Sequence, residues 1–265
     1  MPKETVPFIL AHKNYQAPSV FLPENLLREA RRQKNISECS VPKICILDPD
    51  GDLADYLLKK GEATISKCWA CYHSNLYSFQ VDGIPVGIIP CIVGASYAVL
   101  VAEQLFVSGC EYLISVTSAG IISTPPSNKR FALITEAIRD EGTSYHYLPK
   151  EILSTIPERL YQNMGNHNAD ANCLWFDAKS WTTDAPYRET EAAITAMQKE
   201  NVTCVEMEAA ALYAFALSKN KNVICFAHLT NSMAQQEGDF EKGEHFGSVD
   251  TLTLIKEVIK WTYAK

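Results

Sequence analysis

The sequence predicts an α/β protein, because short apolar runs alternate with helix-forming segments along nearly all of its length. Two further observations point to one layered domain. The chain has 265 residues, enough to bury a sizeable core. No internal repeat, low-complexity linker or break in composition divides it. The expected division is an N-terminal arm over residues 1–40 and a single domain over 41–265.

The elements follow in order. The arm is irregular through Pro2, Pro7, Pro18 and Pro23, and Leu22 to Lys34 then forms an Arg-rich amphipathic helix. Val41 to Leu47 is the first core strand, Asp48-Pro-Asp-Gly-Asp52 a turn, and Leu53 to Lys60 a helix. The acids of that turn alternate as in a calcium loop, but Gly51 is misplaced and the twelfth position is Lys59, which excludes one. Aromatic and polar residues alternate from Ala63 to Val81, as in half-buried antiparallel strands. Asp82-Gly83 is the hairpin turn and Ile84 to Val93 the returning strand. Gly94-Ala-Ser96 opens a helix that runs to about Ser108 and stops at Gly109. Tyr112 to Val116 is a buried strand, and Ser115 to Gly120 reads as a small-residue loop at its carboxyl end, where open α/β sheets bind ligands. A tight turn would need the same small residues.

Phe131 to Ile138 is a further strand and Lys150 to Gly165 a helix, followed by a polar loop over Asn166 to Asn172. Leu174 to Thr183 has no clear pattern, and Thr182 to Glu189 reads as a loop reaching a site. Thr190 to Asn201 is a helix with a polar face. Val223 to Leu229 is a strand, Thr230 to Glu244 a loop, and the last helix runs from about Ser248 to Tyr263.

Composition excludes several function classes. Apolar residues make up 47% and charged residues 21%, ordinary values for a water-soluble domain. No run approaches the roughly 18 apolar residues of a membrane span. The start, M-P-K-E-T-V-P-F, lacks the apolar core of a signal peptide, so a cytoplasmic protein is expected. A net charge of −7 gives no general attraction to nucleic acid or anionic membrane. The nine cysteines follow no framework and read as reduced thiols, mostly in the core. Cys68-x-x-Cys71 followed by His73 has no second pair, so a zinc site is not expected. No P-loop, HExxH or Ser-His-Asp order appears, and neither covalent catalysis nor a cofactor is indicated.

The most informative stretch is Cys204 to Ser218, C-V-E-M-E-A-A-A-L-Y-A-F-A-L-S. Alanine on every face suits a helix packed closely on both sides. Glu206, Met207 and Glu208 then lie at the start of a buried helix. Acids at that position stabilise a helix N-terminus. Two of them under a covered core also need hydrogen-bond donors, and vicinal sugar hydroxyls would serve.

The octapeptide V-E-M-E-A-A-A-L resembles the signature of the nucleoside phosphorylase superfamily, the group containing uridine phosphorylase and hexameric purine nucleoside phosphorylase. By order and spacing of landmarks the resemblance covers residues 41 to 262. It includes Ile44 to Leu53 as first strand and phosphate loop, Val93-Gly-Ala-Ser96 as a glycine turn, and Leu113 to Ile122 as the strand and loop that reach phosphate. Gly142 to His146 and Asn231 to Glu237 resemble loops of the uridine phosphorylase branch. The resemblance implies a three-layer α/β/α sandwich around a mixed, partly barrel-like β-sheet, and a homo-oligomer. It implies ribose binding by Met207 and Glu208, with Glu206 beside them, and catalytic roles for Glu208 and Asn231. A phosphate would meet Ser118, Gly94 and Gly120, and a base Arg188 and Asn231.

The departures are equally informative. Family members hold phosphate with a loop glycine and several arginines, whose planar forks suit oxyanions. Here the glycine position is Pro49, which has no N–H, and the arginine positions are Leu53, Ser115 and the neighbourhood of Tyr72. Asp48, Asp50 and Asp52 would repel an anion. Arg130, Arg139 and Arg188 are the cations left to substitute. Asn231 stands where purine-directed members present an Asp, which disfavours purine acid catalysis. Arg188 suits a base carbonyl or a surface pair with Glu189 or Glu191. His146 reads as a loop filler and His228 as a core histidine. The expected activity is cleavage of the N-ribosidic bond of a nucleoside, pyrimidine before purine. Resemblance makes phosphate the acceptor, and residue chemistry makes water the alternative, which would give a nucleosidase. A non-catalytic nucleoside-binding protein is the third alternative.

Overall fold

β-Branched and aromatic runs become the strands of one mixed sheet whose middle closes on itself. The computed structural model describes residues 6–126, 129–164, 173–232 and 237–263. The loop expected over 166–172, and residues 233–236 of the Asn231 to Glu237 stretch, lie outside the described residues.

Strand β1 (Ile44–Asp48) is buried at every position and runs parallel to both β4 (Ile84–Pro90) and β5 (Tyr112–Ile121). An unbroken apolar strand is what two parallel neighbours under helices require. β3 (Tyr77–Val81) returns antiparallel to β4 through Asp82-Gly83, both at positive φ. β2 (Thr64–Ile65) forms the edge.

On its other side β5 pairs with β10 (Asn222–Asn231), and β10 with β6 (Phe131–Asp140). β6 then pairs with β8 (Trp175–Thr183), and β8 with β9 (Cys204–Glu206). β9 pairs back onto β5, closing a five-strand, barrel-like ring. β7 (Ser154–Thr155) adds to β6 outside it.

Helix layers flank this sheet. α3 (Ala95–Val107) packs on α6 (Ala209–Lys219), and α1 (Pro23–Lys34) packs on α3. α2 (Asp52–Lys59) packs on α7 (Ser248–Tyr263), with α4 (Glu158–Asn163) beside α7. α6 is buried from Ala209 to Ala216 and touches β6, β7, β8 and β10 as well as α3. Its alanines allow that approach from both sides, which is the expected three-layer α/β/α arrangement. α5 (Glu191–Lys199) buries no residue and is capped by the Thr190 hydroxyl. No described helix is long and apolar enough to cross a membrane.

Four expectations change. The small-residue stretch Ser115 to Gly120 is strand, not loop, because β5 continues to Ile121. There it is crowded between β10 and β9, and small side chains suit a closing ring as well as they suit a turn. The helix expected over Lys150 to Gly165 is confined to Glu158–Asn163. Ser154 and Thr155 are drawn into the sheet instead, and Pro157 enters the helix at its N-cap. Ala63 to Val81 is strand only at its ends. Finally, the cysteines are not all reduced: Cys39 and Cys68 form a disulfide between the arm and the segment before β3. That removes Cys68 from the Cys-x-x-Cys pair, while Cys45, Cys71, Cys110, Cys204 and Cys225 are buried free thiols.

Candidate functional site

The carboxyl ends of β1, β8 and β10, the distal half of β5 and the β9–α6 junction converge on a cleft of about 360 Å³. Sheet order lays out its ends: β1 and β8 are separated by β5 and β9.

At the centre, β9 hands over to α6 through Glu206-Met207-Glu208. Glu206 is buried and internally satisfied. Its Oε2 accepts the backbone N–H groups of Glu208 and Ala209, both at 2.7 Å, and its Oε1 accepts the hydroxyls of Ser180 and Thr182. It therefore supplies the helix-start acid that elementary electrostatics asks for. Glu208 is the N-cap residue and is buried too. Its Oε1 accepts the Gly94 N–H at 2.7 Å, and its buried Oε2 accepts no hydrogen bond. Burial pushes the Glu208 carboxyl well above the ordinary range, and the Glu206 carboxylate beside it adds to the rise. The Gly94 N–H opposes it more weakly. Met207 lines the cleft between them.

At the β1 end, Asp48 turns inward and accepts the N–H groups of Gly51 and Ala54. Burial raises it to about 7, with Asp50 and Asp52 contributing. Asp50 points the other way. Its two oxygens accept the N–H of Ser118 at 3.1 Å and the Ser118 hydroxyl at 3.0 Å. Lys242 Nζ lies 3.3 Å from Asp50 and 2.6 Å from Asp52, with only 13% of its side chain exposed. Sequence reading missed Lys242, which arrives from the loop before α7.

At the β8 end, Pro186, Tyr187 and Glu189 line the cleft together with Asn231 and Phe240. Arg188 occupies the 3-10 turn Pro186–Arg188 but does not line the cleft. Its neighbour Glu189 does, and burial alone raises that carboxyl.

The expected anion ligands are distributed differently. Ser118 and Gly120 line the cleft, but Ser118 is engaged by Asp50. The Gly94 N–H is engaged by Glu208. Arg139 donates to the carbonyls of Leu148, Pro149 and Ile152, and Arg130 pairs with Asp250 at 3.5 Å. His146 meets Lys13 of the arm. His228 is buried against Phe131, and burial lowers it to about 4, the state of a neutral core histidine.

A family model described as the phosphorylase superfamily matches residues 43–256. The chain belongs to the phosphorylase superfamily. Among solved structures it is similar to two superfamily folds. One is uridine phosphorylase from Vibrio fischeri ES114 complexed with 6-hydroxy-1-naphthoic acid, at 15% identity and TM-score 0.68, covering 82% of this chain and 90% of that one. The other is purine nucleoside phosphorylase from Toxoplasma gondii in complex with immucillin-H, at 14% identity and TM-score 0.68, covering 83% and 90%. At such identities the likeness shows the fold alone. A curated relative, the uncharacterized protein R802 of Acanthamoeba polyphaga mimivirus, is 25% identical over 148 residues, 55% of this chain. The match spans 56% of that relative's length.

Proposed function

We propose that this superfamily member cleaves the N-ribosidic bond of a nucleoside and transfers the ribosyl group to water. One observation carries the choice of acceptor. The Asp50 carboxylate sits on the N–H and hydroxyl of Ser118, the groups the family resemblance assigns to phosphate. Among the described residues no arginine lines the cleft. A second anion beside Asp50 would be buried against like charge, which is strongly unfavourable.

In this reading Glu208 Oε2, buried and without a donor, accepts a ribose hydroxyl, and Met207 packs on the sugar. As the glycosidic bond lengthens, its electron pair leaves with the base and positive charge develops on the ribose. A carboxylate at the sugar is worth more in that state than in the ground state. Water adds to the anomeric carbon from the Asp50 side, and Asp50 takes its proton as general base. Glu206 is a positioning residue that fixes Glu208 through the β9–α6 junction.

The base lies at the β8 end. Asn231 carries no ionisable proton, so a purine leaving group gains no acid there, and pyrimidine nucleosides are the preferred class. Glu189 rather than Arg188 is the charged group that faces this end. The same reading carries a homo-oligomer, with the arm, which exposes Phe8, Val20 and Phe21, as the segment that meets the neighbouring copy.

The test is a nucleoside panel assayed with and without phosphate. Free ribose at equal rates supports the proposal, and ribose 1-phosphate overturns it. Binding without turnover would establish the non-catalytic alternative.

A further inference from the structure

We propose that Ser118 and Lys242 form an oxyanion cradle that the protein fills with its own Asp50, so that Asp50 and Lys242 together decide which acceptor the site takes. The catalytic meaning of this rests on the function proposed above; the binding chemistry does not.

The geometry is that of a bound anion. Ser118 offers two donors from one residue, its N–H at 3.1 Å and its hydroxyl at 3.0 Å, one to each oxygen of the Asp50 carboxylate. A cation completes the set, Lys242 Nζ at 3.3 Å. A backbone N–H, a hydroxyl and an ammonium converging on two oxygens also suit a tetrahedral oxyanion such as phosphate or sulfate. Here the anion is covalently attached to the chain. A tethered carboxylate competes intramolecularly, at an effective concentration set by the turn that carries it.

Charge balance gives the rule. Lys242 faces two carboxylates, Asp50 and Asp52, so the group carries one net negative charge. Adding phosphate would raise that to two or three with one cation present. Removing Asp50 leaves Lys242 paired with Asp52 at 2.6 Å and both Ser118 donors without an acceptor.

Lys242 is also well anchored. Glu241 N–H donates to the Thr230 carbonyl at 3.0 Å, and the Ser248 hydroxyl donates to the Asp52 carbonyl at 3.1 Å. These two bonds hold the loop that carries Lys242 without using Asp50. It also places Phe240 on the cleft wall, which joins the cradle to the substrate site.

The experiment is isothermal titration calorimetry of the full chain with inorganic phosphate. Asp50→Ala should bind phosphate at least tenfold more tightly than the unaltered protein, and Asp50→Ala with Lys242→Met should lose that gain. Asp50→Asn, which keeps the size and removes the charge, carries the same expectation should the alanine variant not fold. A folded Asp50 variant with no gain overturns the cradle, and a gain that survives Lys242→Met overturns the role of Lys242. If calorimetry behaves as expected while no form cleaves any nucleoside, the cradle stands and the proposed function fails. If calorimetry is flat while the unaltered protein releases free ribose, the reverse holds.

Discussion

Glu206 and Glu208 are two residues apart and have opposite fates. Glu206 has every acceptor position occupied by the chain, whereas Glu208 keeps one buried oxygen open. Glu208→Gln should therefore leave the melting temperature nearly unchanged and abolish nucleoside binding by calorimetry. Glu206→Ala should leave two N–H groups and two hydroxyls orphaned and cost about 3 kcal/mol or more in denaturant unfolding. The Glu208 carboxyl is raised, so the free protein holds it protonated over part of the neutral range. If the ionised form grips the sugar, kcat/KM rises with pH through that range and levels once Glu208 has ionised. Glu208→Gln would show no such limb. The motif made this pair legible, because helix propensity and end electrostatics are local. Arg188 and Glu189 were not separable in the same way: they are adjacent at the end of a short 3-10 turn, and no periodicity tells which of two neighbours faces a cleft.

The β1–α2 turn shows what an element adds to its residues. Asp48 caps the turn from inside while Asp50 and Asp52 meet Lys242 outside. Asp48 holds its proton to about 7 in the folded protein and ionises near 4 in the unfolded chain. The native state thus binds the extra proton between those values, and stability falls as pH rises from about 4 to 7. Denaturant melts across that window should show the fall, and Asp48→Asn should flatten it. The alanine helix makes a second test. Ala211 is fully buried in α6, so Ala211→Leu should overpack it and cost about 1–3 kcal/mol in denaturant unfolding. That helix was readable because alanine on all faces has one structural meaning. The distal half of β5 was not, since small residues look alike in a turn and in a crowded ring. Nor could spacing have found Lys242, which lies 190 residues from Asp52.

At the scale of the molecule, the disulfide between Cys39 and Cys68 ties the arm to the segment before β3. The arm adds its own small cluster, Leu27 and Ala30 against Ala70. Cys39→Ser should lower the melting temperature and expose the arm to limited proteolysis. Cleavage should persist, because neither cysteine lines the cleft. The α/β class followed from alternation, whereas the three layers and the barrel-like sheet were implied only by the family resemblance, because a closed ring is a property of pairing, which no single segment carries. Its consequence is cooperative. β9 is three residues long, and among the described residues it alone joins β8 to β5. A ring that shears at that seam strips a neighbour from each of the two strands beside it and exposes their edges, so partial opening gains little. Amide hydrogens of β5, β6, β8 and β10 should exchange with solvent together, at the rate of whole-chain unfolding, rather than strand by strand.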